Sequence, residues 1–248
     1  MNYLVGDIGN TFIKISILND NFTIKKIYNL ETNKIFTKTF KKNILKKIIK
    51  KNLNKTVLFS SVVPKAYKVI KNYLSLNRFK VLEIKELKIK KILKIKIKNY
   101  NQLGSDRISN AIGSLNYNNS IIIDFGTATT FDIVKNGVYE GGVISPGINL
   151  SILNLNKSTA LLPILNIKNV QKSYGKNTQE ALNAGFLWGY EGLINNIIKK
   201  ISSKTKVKYK IILTGGYANL FKKYIKNKTK VDQNVTIKGI AKAFKKLI

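Results

Sequence analysis

Two acidic glycine turns, each set directly after a short apolar run, constrain this chain more than any other feature. The first is Asp7-Ile8-Gly9-Asn10-Thr11, after Tyr3-Leu4-Val5; the second is Asp124-Phe125-Gly126-Thr127-Ala128-Thr129-Thr130, after Ile121-Ile122-Ile123. Alternating stretches follow both, Phe12 to Ile17 and Phe131 to Val134. A strand, an acidic turn and a second strand therefore occur twice. Glycine lets backbone N–H groups approach a phosphate closely, and the threonine hydroxyls add donors. The aspartates suit the cation that accompanies a nucleotide. One Asp-x-Gly-x-Thr turn alone is usually only a turn. Two, at matching places in their halves, predict a nucleotide clamped between related halves. The chain has neither a G-x-x-x-x-G-K-[ST] loop nor a G-x-G-x-x-G turn, so P-loop and dinucleotide sites are not expected.

Composition narrows the chemistry. With 248 residues and 44% hydrophobic residues the chain has enough apolar surface for a packed core. There is no cysteine and no histidine, which removes disulfides, thiolate chemistry, imidazole metal sites and Ser-His-Asp catalysis. Carboxylates, hydroxyls, backbone amides, lysine and arginine must do the work. The first apolar run is short and interrupted by Asp7, unlike a signal peptide, and no apolar stretch is long enough to span a membrane. A soluble, cytoplasmic protein is expected. The formal charge of +33 invites a nucleic-acid reading. Arginine, the better reader of bases, occurs only at Arg78 and Arg107. Lysine, asparagine and isoleucine are raised together along the chain, as AT-rich codon usage would raise them, so no specific nucleic-acid function is expected. Against that background only 12 acidic residues remain, and Asp7, Asp106, Asp124 and Asp132 lie in or beside glycine-rich turns.

The pattern predicts strands at 3–7, 11–18 and 22–30, a helix near 41–52, a strand at 56–60, a helix from Pro64 and a strand at 80–84. Residues 87–98 alternate apolar and lysine, which reads as half-buried strands with a lysine-lined edge. A helix is expected over 106–117. The second half restarts with strands at 120–124, 129–136 and 138–144, then a helix near 148–156. Thr178 is the expected N-cap of a helix running to about 202. Ala181, Gly185 and Gly189 form a small-residue face on it, suited equally to a core or to a dimer. A strand at 208–214 and helices at 216–226 and 236–248 complete an α/β chain of two similar halves, 1–118 and 119–248.

Gly104-Ser105-Asp106-Arg107 stands where a helix starts, near the join of the halves. A carboxylate beside a guanidinium there can take a hydroxyl proton while the arginine meets an anion; a helix cap with a local ion pair is the plainer alternative. Together with Asp7 to Thr11 and Lys14, Asp124 to Asp132, Gly142-x-Ile144-x-Pro146-Gly147, Tyr174 to Thr178 and Leu213 to Gly216, this segment resembles the type III pantothenate kinases. These belong to the actin, sugar-kinase and Hsp70 superfamily. The motifs run in family order over most of the chain.

The resemblance implies an α/β fold of two similar actin-like (ribonuclease H-like) domains with a nucleotide cleft between them. It implies ATP-dependent phosphorylation of pantothenate to 4′-phosphopantothenate, the first step of coenzyme A biosynthesis. Asp7, Ile8, Gly9, Asn10, Thr11, Phe12, Ile13 and Lys14 would form a phosphate loop around ATP, with Thr127 also contacting ATP. Asp106 would be the catalytic base, and Gly104, Ser105 and Arg107 would hold pantothenate with it. Asp124 would ligate a monovalent cation, K+ or NH4+, while Mg2+ accompanies ATP. Thr178 would contact pantothenate in a homodimer, and Gly215 and Gly216 would lie near the adenosine. Where the family places a substrate-contacting tyrosine, this chain has Ile97; Tyr100 stands nearby as a replacement. Two rivals remain: a regulatory protein that binds nucleotide without turnover, and a kinase for another small alcohol such as a sugar.

Overall fold

The computed structural model describes residues 1–37, 39–40, 45–49, 52–167 and 173–248. The chain begins with β1 (Asn2–Ile8), β2 (Phe12–Leu18) and β3 (Ile24–Glu31), followed by a short helix α1 (Lys46–Ile48). Then come β4 (Leu53–Ser61), α2 (Pro64–Leu76), β5 (Lys80–Glu83), β6 (Lys94–Ile95) and α3 (Ser105–Gly113). The pattern restarts with β7 (Ser120–Phe125), β8 (Ala128–Lys135) and β9 (Val138–Pro146), then α4 (Ile148–Lys157) and α5 (Thr178–Thr205). It closes with β10 (Lys210–Gly215), α6 (Ala218–Phe221), β11 (Thr229–Val231) and α7 (Val235–Leu247).

The two sheets repeat one strand order. In the first it is β3-β2-β1-β4-β5; in the second β9-β8-β7-β10-β11 forms the same series, with β6 added beyond β9. β1 pairs antiparallel with β2 and parallel with β4, and β7 pairs parallel with β10. Central strands must be apolar on both faces. Leu4, Val5 and Ile8 in β1, and Ile121, Ile122 and Ile123 in β7, are accordingly buried. By contacts the chain divides into two compact units: Met1–Asn118 with Val134–Gly141 and Asn234–Ile248, and Asn119–Ile133 with Gly142–Gln233.

In the first unit Pro64 opens α2, which turns Ala66, Ile70 and Leu74 into the core. α3 and α7 pack at very short range. A Cβ on Gly239 would fall on the Ser109 carbonyl, and one on Gly113 would fall on the Val235 carbonyl. The contact is fixed by a buried hydrogen bond from Thr236 Oγ1 to Asn110 Oδ1 of 2.7 Å. In the second unit Ile121, Ile123 and Leu213 meet Leu187, Ile194 and Ile198 of α5 and Phe221 of α6.

Some expectations need correction. Residues 87–98 form a 3-10 turn at Ile89–Lys91 and only the two-residue β6, which pairs with Val138 and Tyr139. The apolar side chains alternate inward as expected, with Ile89 and Leu93 buried, but turns reproduce that alternation as well as strands do. The helix expected at 216–226 is only Ala218–Phe221, and β11 was not foreseen. Of the helix expected near 41–52, residues 41–44 and 50–51 lie outside the described residues.

Candidate active site

The first acidic turn joins β1 to β2. Asp7 sits opposite Lys14 across the hairpin and beside Ser60 of β4, so one carboxylate and one ammonium flank the turn. The Gly9 N–H donates to the Phe12 carbonyl at 3.0 Å, closing a tight loop. Thr32 fixes it from outside: its hydroxyl donates to the Gly9 carbonyl at 2.7 Å and its N–H to the Thr11 carbonyl at 2.9 Å. Ile8 and Ile13 are fully buried and anchor the loop, while Asn10, Thr11 and Phe12 are exposed at its tip. The loop therefore offers an incoming anion backbone amides and polar side chains on a rigid base. Thr32 was not visible as a site residue in the sequence.

The second acidic turn has the same construction. The Gly126 N–H donates to the Ala128 carbonyl at 3.1 Å, and the Gly216 N–H donates to the Phe125 carbonyl at 3.1 Å. Asp124 pairs in register with Thr214, and Phe125 with Gly215. Gly215 has φ +84°, and a Cβ there would stand 2.7 Å from Asp124 Oδ1. Only glycine serves at that position. A Cβ on Gly147, just before α4, would overlap the Thr127 carbonyl. Thr127 is exposed at the turn, and Asp124 is half-buried at its base. Asp132, by contrast, is fully buried inside β8 rather than in a turn.

Asp106 occupies the first turn of α3, whose N-cap is Gly104. Its Oδ1 accepts from the Arg107 N–H at 2.8 Å. The carboxylate folds back over Gly104 so closely that any side chain there would displace it, with Val62 as the next neighbour at 3.6 Å from a Cβ. Burial raises the Asp106 carboxyl above its ordinary range, against the lowering influence of Arg107 and Lys85. Arg107 stands 6.0 Å from the Tyr139 ring, a distance at which the ring face still favours the cation. Ser105 is buried, with its carbonyl accepting from the Ser109 hydroxyl at 2.8 Å.

The fold adds three residues that sequence reading missed. Glu83, at the end of β5, accepts at Oε2 from the Lys85 N–H at 2.7 Å. Burial raises its carboxyl too, and the Ser105 hydroxyl leads the influences that lower it. Lys85 Nζ donates to the Asn101 carbonyl at 3.1 Å and lies 6.0 Å over the Tyr100 ring. Tyr100, half-buried, has its phenol raised by burial and then by Glu83, so it stays a neutral donor. Glu86 pairs with Lys71 at 3.8 Å. The one signal for these residues was two acids, Glu83 and Glu86, retained within a lysine-rich stretch.

Thr178 is the first residue of α5; the N-cap is Asn177, whose Oδ1 accepts from the Glu180 N–H at 2.9 Å. Glu180 reaches back to the Lys176 N–H at 2.9 Å. Asparagine and threonine cap equally well, so pattern alone could not separate them by one position. Thr178 is exposed and borders an apolar cavity of about 530 Å³, with Ala181, Gly185 and Gly189 along one wall. A Cβ on Gly185 or Gly189 would meet nothing within 4 Å, so this small-residue face is not spent on packing within the chain.

No cluster of three or more carboxylate, histidine or cysteine side chains exists among the described residues. A multidentate transition-metal centre does not fit. A single half-buried carboxylate at Asp124, framed by strand-end carbonyls, fits a hard cation of low charge. No described helix is long and apolar enough to cross a membrane.

Comparison with known proteins agrees with this geometry. The family model for type III pantothenate kinase matches residues 3–200. A type III pantothenate kinase of Pelagibacter ubique is 45% identical over 242 residues, covering 97% of both chains. Among solved structures, a protein of Campylobacter jejuni described as a Baf family transcriptional activator superposes with TM-score 0.65 at 21% identity, covering 98% of this chain and 97% of that one. The activator of 2-hydroxyisocaproyl-CoA dehydratase from Clostridium difficile, with bound ADPNP, gives TM-score 0.54 at 16% identity, covering 99% and 95%. These structural likenesses bear on the fold, which is the two-domain actin-like α/β fold. By the family match and the curated relative together, the chain belongs to the type III pantothenate kinase family, the ATP-dependent kinases that phosphorylate pantothenate in coenzyme A biosynthesis.

Proposed function

We propose that Asp106 is the base that receives the proton of the pantothenate 4′-hydroxyl as that oxygen attacks the γ-phosphorus of ATP. The bond from the γ-phosphorus to the β,γ-bridging oxygen breaks, and ADP leaves. The observation that carries this reading is the Asp106 carboxylate held over side-chain-free Gly104 at the start of α3, with Arg107 next to it. Phosphoryl transfer relies on position and charge neutralisation, so a chain without histidine and cysteine has what it needs. Gly104, Ser105, Arg107 and Tyr100 would line the acceptor beside Asp106. Asp7 to Lys14 and Thr127 would hold the phosphates of ATP. Mg2+ would travel with the nucleotide, and Asp124 would hold K+ or NH4+, neutralising phosphate charge.

The exposed small-residue face of α5 supports a homodimer, in which a second copy covers the apolar cavity and brings Thr178 to the acceptor. Domains 1–118 and 119–248 and a cytoplasmic setting complete the reading, with no specific nucleic-acid partner and no membrane.

Two results test it. In K+ the purified protein should form 4′-phosphopantothenate faster than in Na+, and Asp124→Asn should lower kcat/KM by about 10- to 100-fold while abolishing the difference between the salts. A salt preference that survives Asp124→Asn would take the cation away from this residue. The raised Asp106 carboxyl fixes the pH dependence as well. Below its pKa the base is protonated and cannot accept a proton, so the acid limb of kcat/KM should lie above the usual aspartate range. A pH profile with its limb at the value of an exposed aspartate would remove that assignment.

A further inference from the structure

Lys85 is unlike the many lysines of this chain because its ammonium is held in place. Nζ donates to one neutral acceptor, the Asn101 carbonyl at 3.1 Å, and lies 6.0 Å over the Tyr100 ring. The loop that carries both partners is itself rigid, with the Asn101 N–H donating to Asn99 Oδ1 at 3.0 Å. Two carboxylates lie within electrostatic reach of Lys85, Glu83 and Asp106, yet it forms no ion pair with either. Glu83 turns its carboxylate to the Lys85 backbone N–H at 2.7 Å, and Glu86 is engaged by Lys71 at 3.8 Å. A half-buried ammonium fixed on a carbonyl keeps donors and its full charge for an anion. The phenol of Tyr100 is a neutral donor in the same place.

Resting on the kinase reading above, the acceptor is a chain with a hydroxyl at one end and a carboxylate at the other. Asp106 and Glu83 would repel that carboxylate unless a cation met it. We propose that Lys85, with Tyr100 beside it, is the receptor for the carboxylate of pantothenate, and so sets the preference for an acidic acceptor over neutral alcohols. Ile97, half-buried and apolar, has no group for that task; Lys85 reaches the same region from the end of β5.

The test compares pantothenate with panthenol, in which the carboxylate is replaced by an uncharged alcohol. Affinity is read as KM for pantothenate and as the inhibition constant of panthenol competing with it. Lys85→Met should raise the pantothenate KM about 10- to 100-fold, the usual worth of a charge-assisted hydrogen bond, while the panthenol constant moves about twofold or less. Lys85→Arg should recover most of the pantothenate affinity. A shift of both constants by the same factor, or of neither, overturns the proposal. A wild-type protein that phosphorylates no pantothenate at all would instead overturn the kinase reading on which it rests.

Discussion

Asp106→Asn is expected to lower turnover by about 10² to 10⁴-fold, the usual worth of a positioned base, without weakening the fold. The two halves of that expectation have one cause. Asp106 is held in a buried position over Gly104, where its charged form is disfavoured. Its folded-state pKa therefore exceeds its unfolded-state value, and between the two values the folded chain binds more protons. Stability falls as pH rises through that window, and the deficit persists at neutral pH. Asparagine is neutral at every pH and keeps an oxygen that can accept from the Arg107 N–H. Thermal unfolding at neutral pH should thus show a Tm equal to or above wild type, and the advantage should vanish in acid below both values. Near-wild-type turnover would remove Asp106 from the chemistry. A large fall in Tm would mean that the carboxylate is structural.

The second large effect is expected far from any nucleotide. Gly239→Leu should destabilise the protein by about 3 kcal/mol, lowering Tm by about 6–12 °C for a chain of this size. Gly239 is where α7 meets α3, and a side chain there has nowhere to go but into the Ser109 carbonyl. Since α3 also carries Asp106, the displaced helix should cost turnover as well. Gly192→Ala on α5 is the control: a Cβ there meets nothing within 4 Å, and alanine is the better helix former by roughly 0.5–1 kcal/mol. It should leave Tm unchanged or raise it. Equal Tm values for both variants would show that the α3–α7 contact is looser than described.

The features legible in the sequence were the local ones. Each acidic turn declares itself through an apolar strand before it and an alternating strand after it, and those patterns need no partner to be read. The repeated order of elements followed from the same periodicity, and the family resemblance then supplied roles that spacing alone could not. The failures have physical causes. In a chain so rich in lysine and isoleucine, alternation over 87–98 arises from composition, and the segment folds as turns with only Lys94–Ile95 in a strand. β11 is three residues long and carries a lysine in its middle, too little to stand out. Asn177 and Thr178 are adjacent and chemically equivalent as caps; only the hydrogen bond from the Glu180 N–H distinguishes them. Glu83 and Lys85 lie about twenty positions before Asp106 and join it through the end of β5 and the turn at Tyr100–Gln102. Such a meeting is a property of tertiary structure, so no motif announces it.

The most direct test of the account is product analysis with ATP, Mg2+, K+ and pantothenate, run side by side on wild type and Asp106→Asn. ADP and 4′-phosphopantothenate should appear in equal amounts with the wild type, and both should form far more slowly with the variant. ADP without 4′-phosphopantothenate, or equal rates for the two proteins, would contradict it.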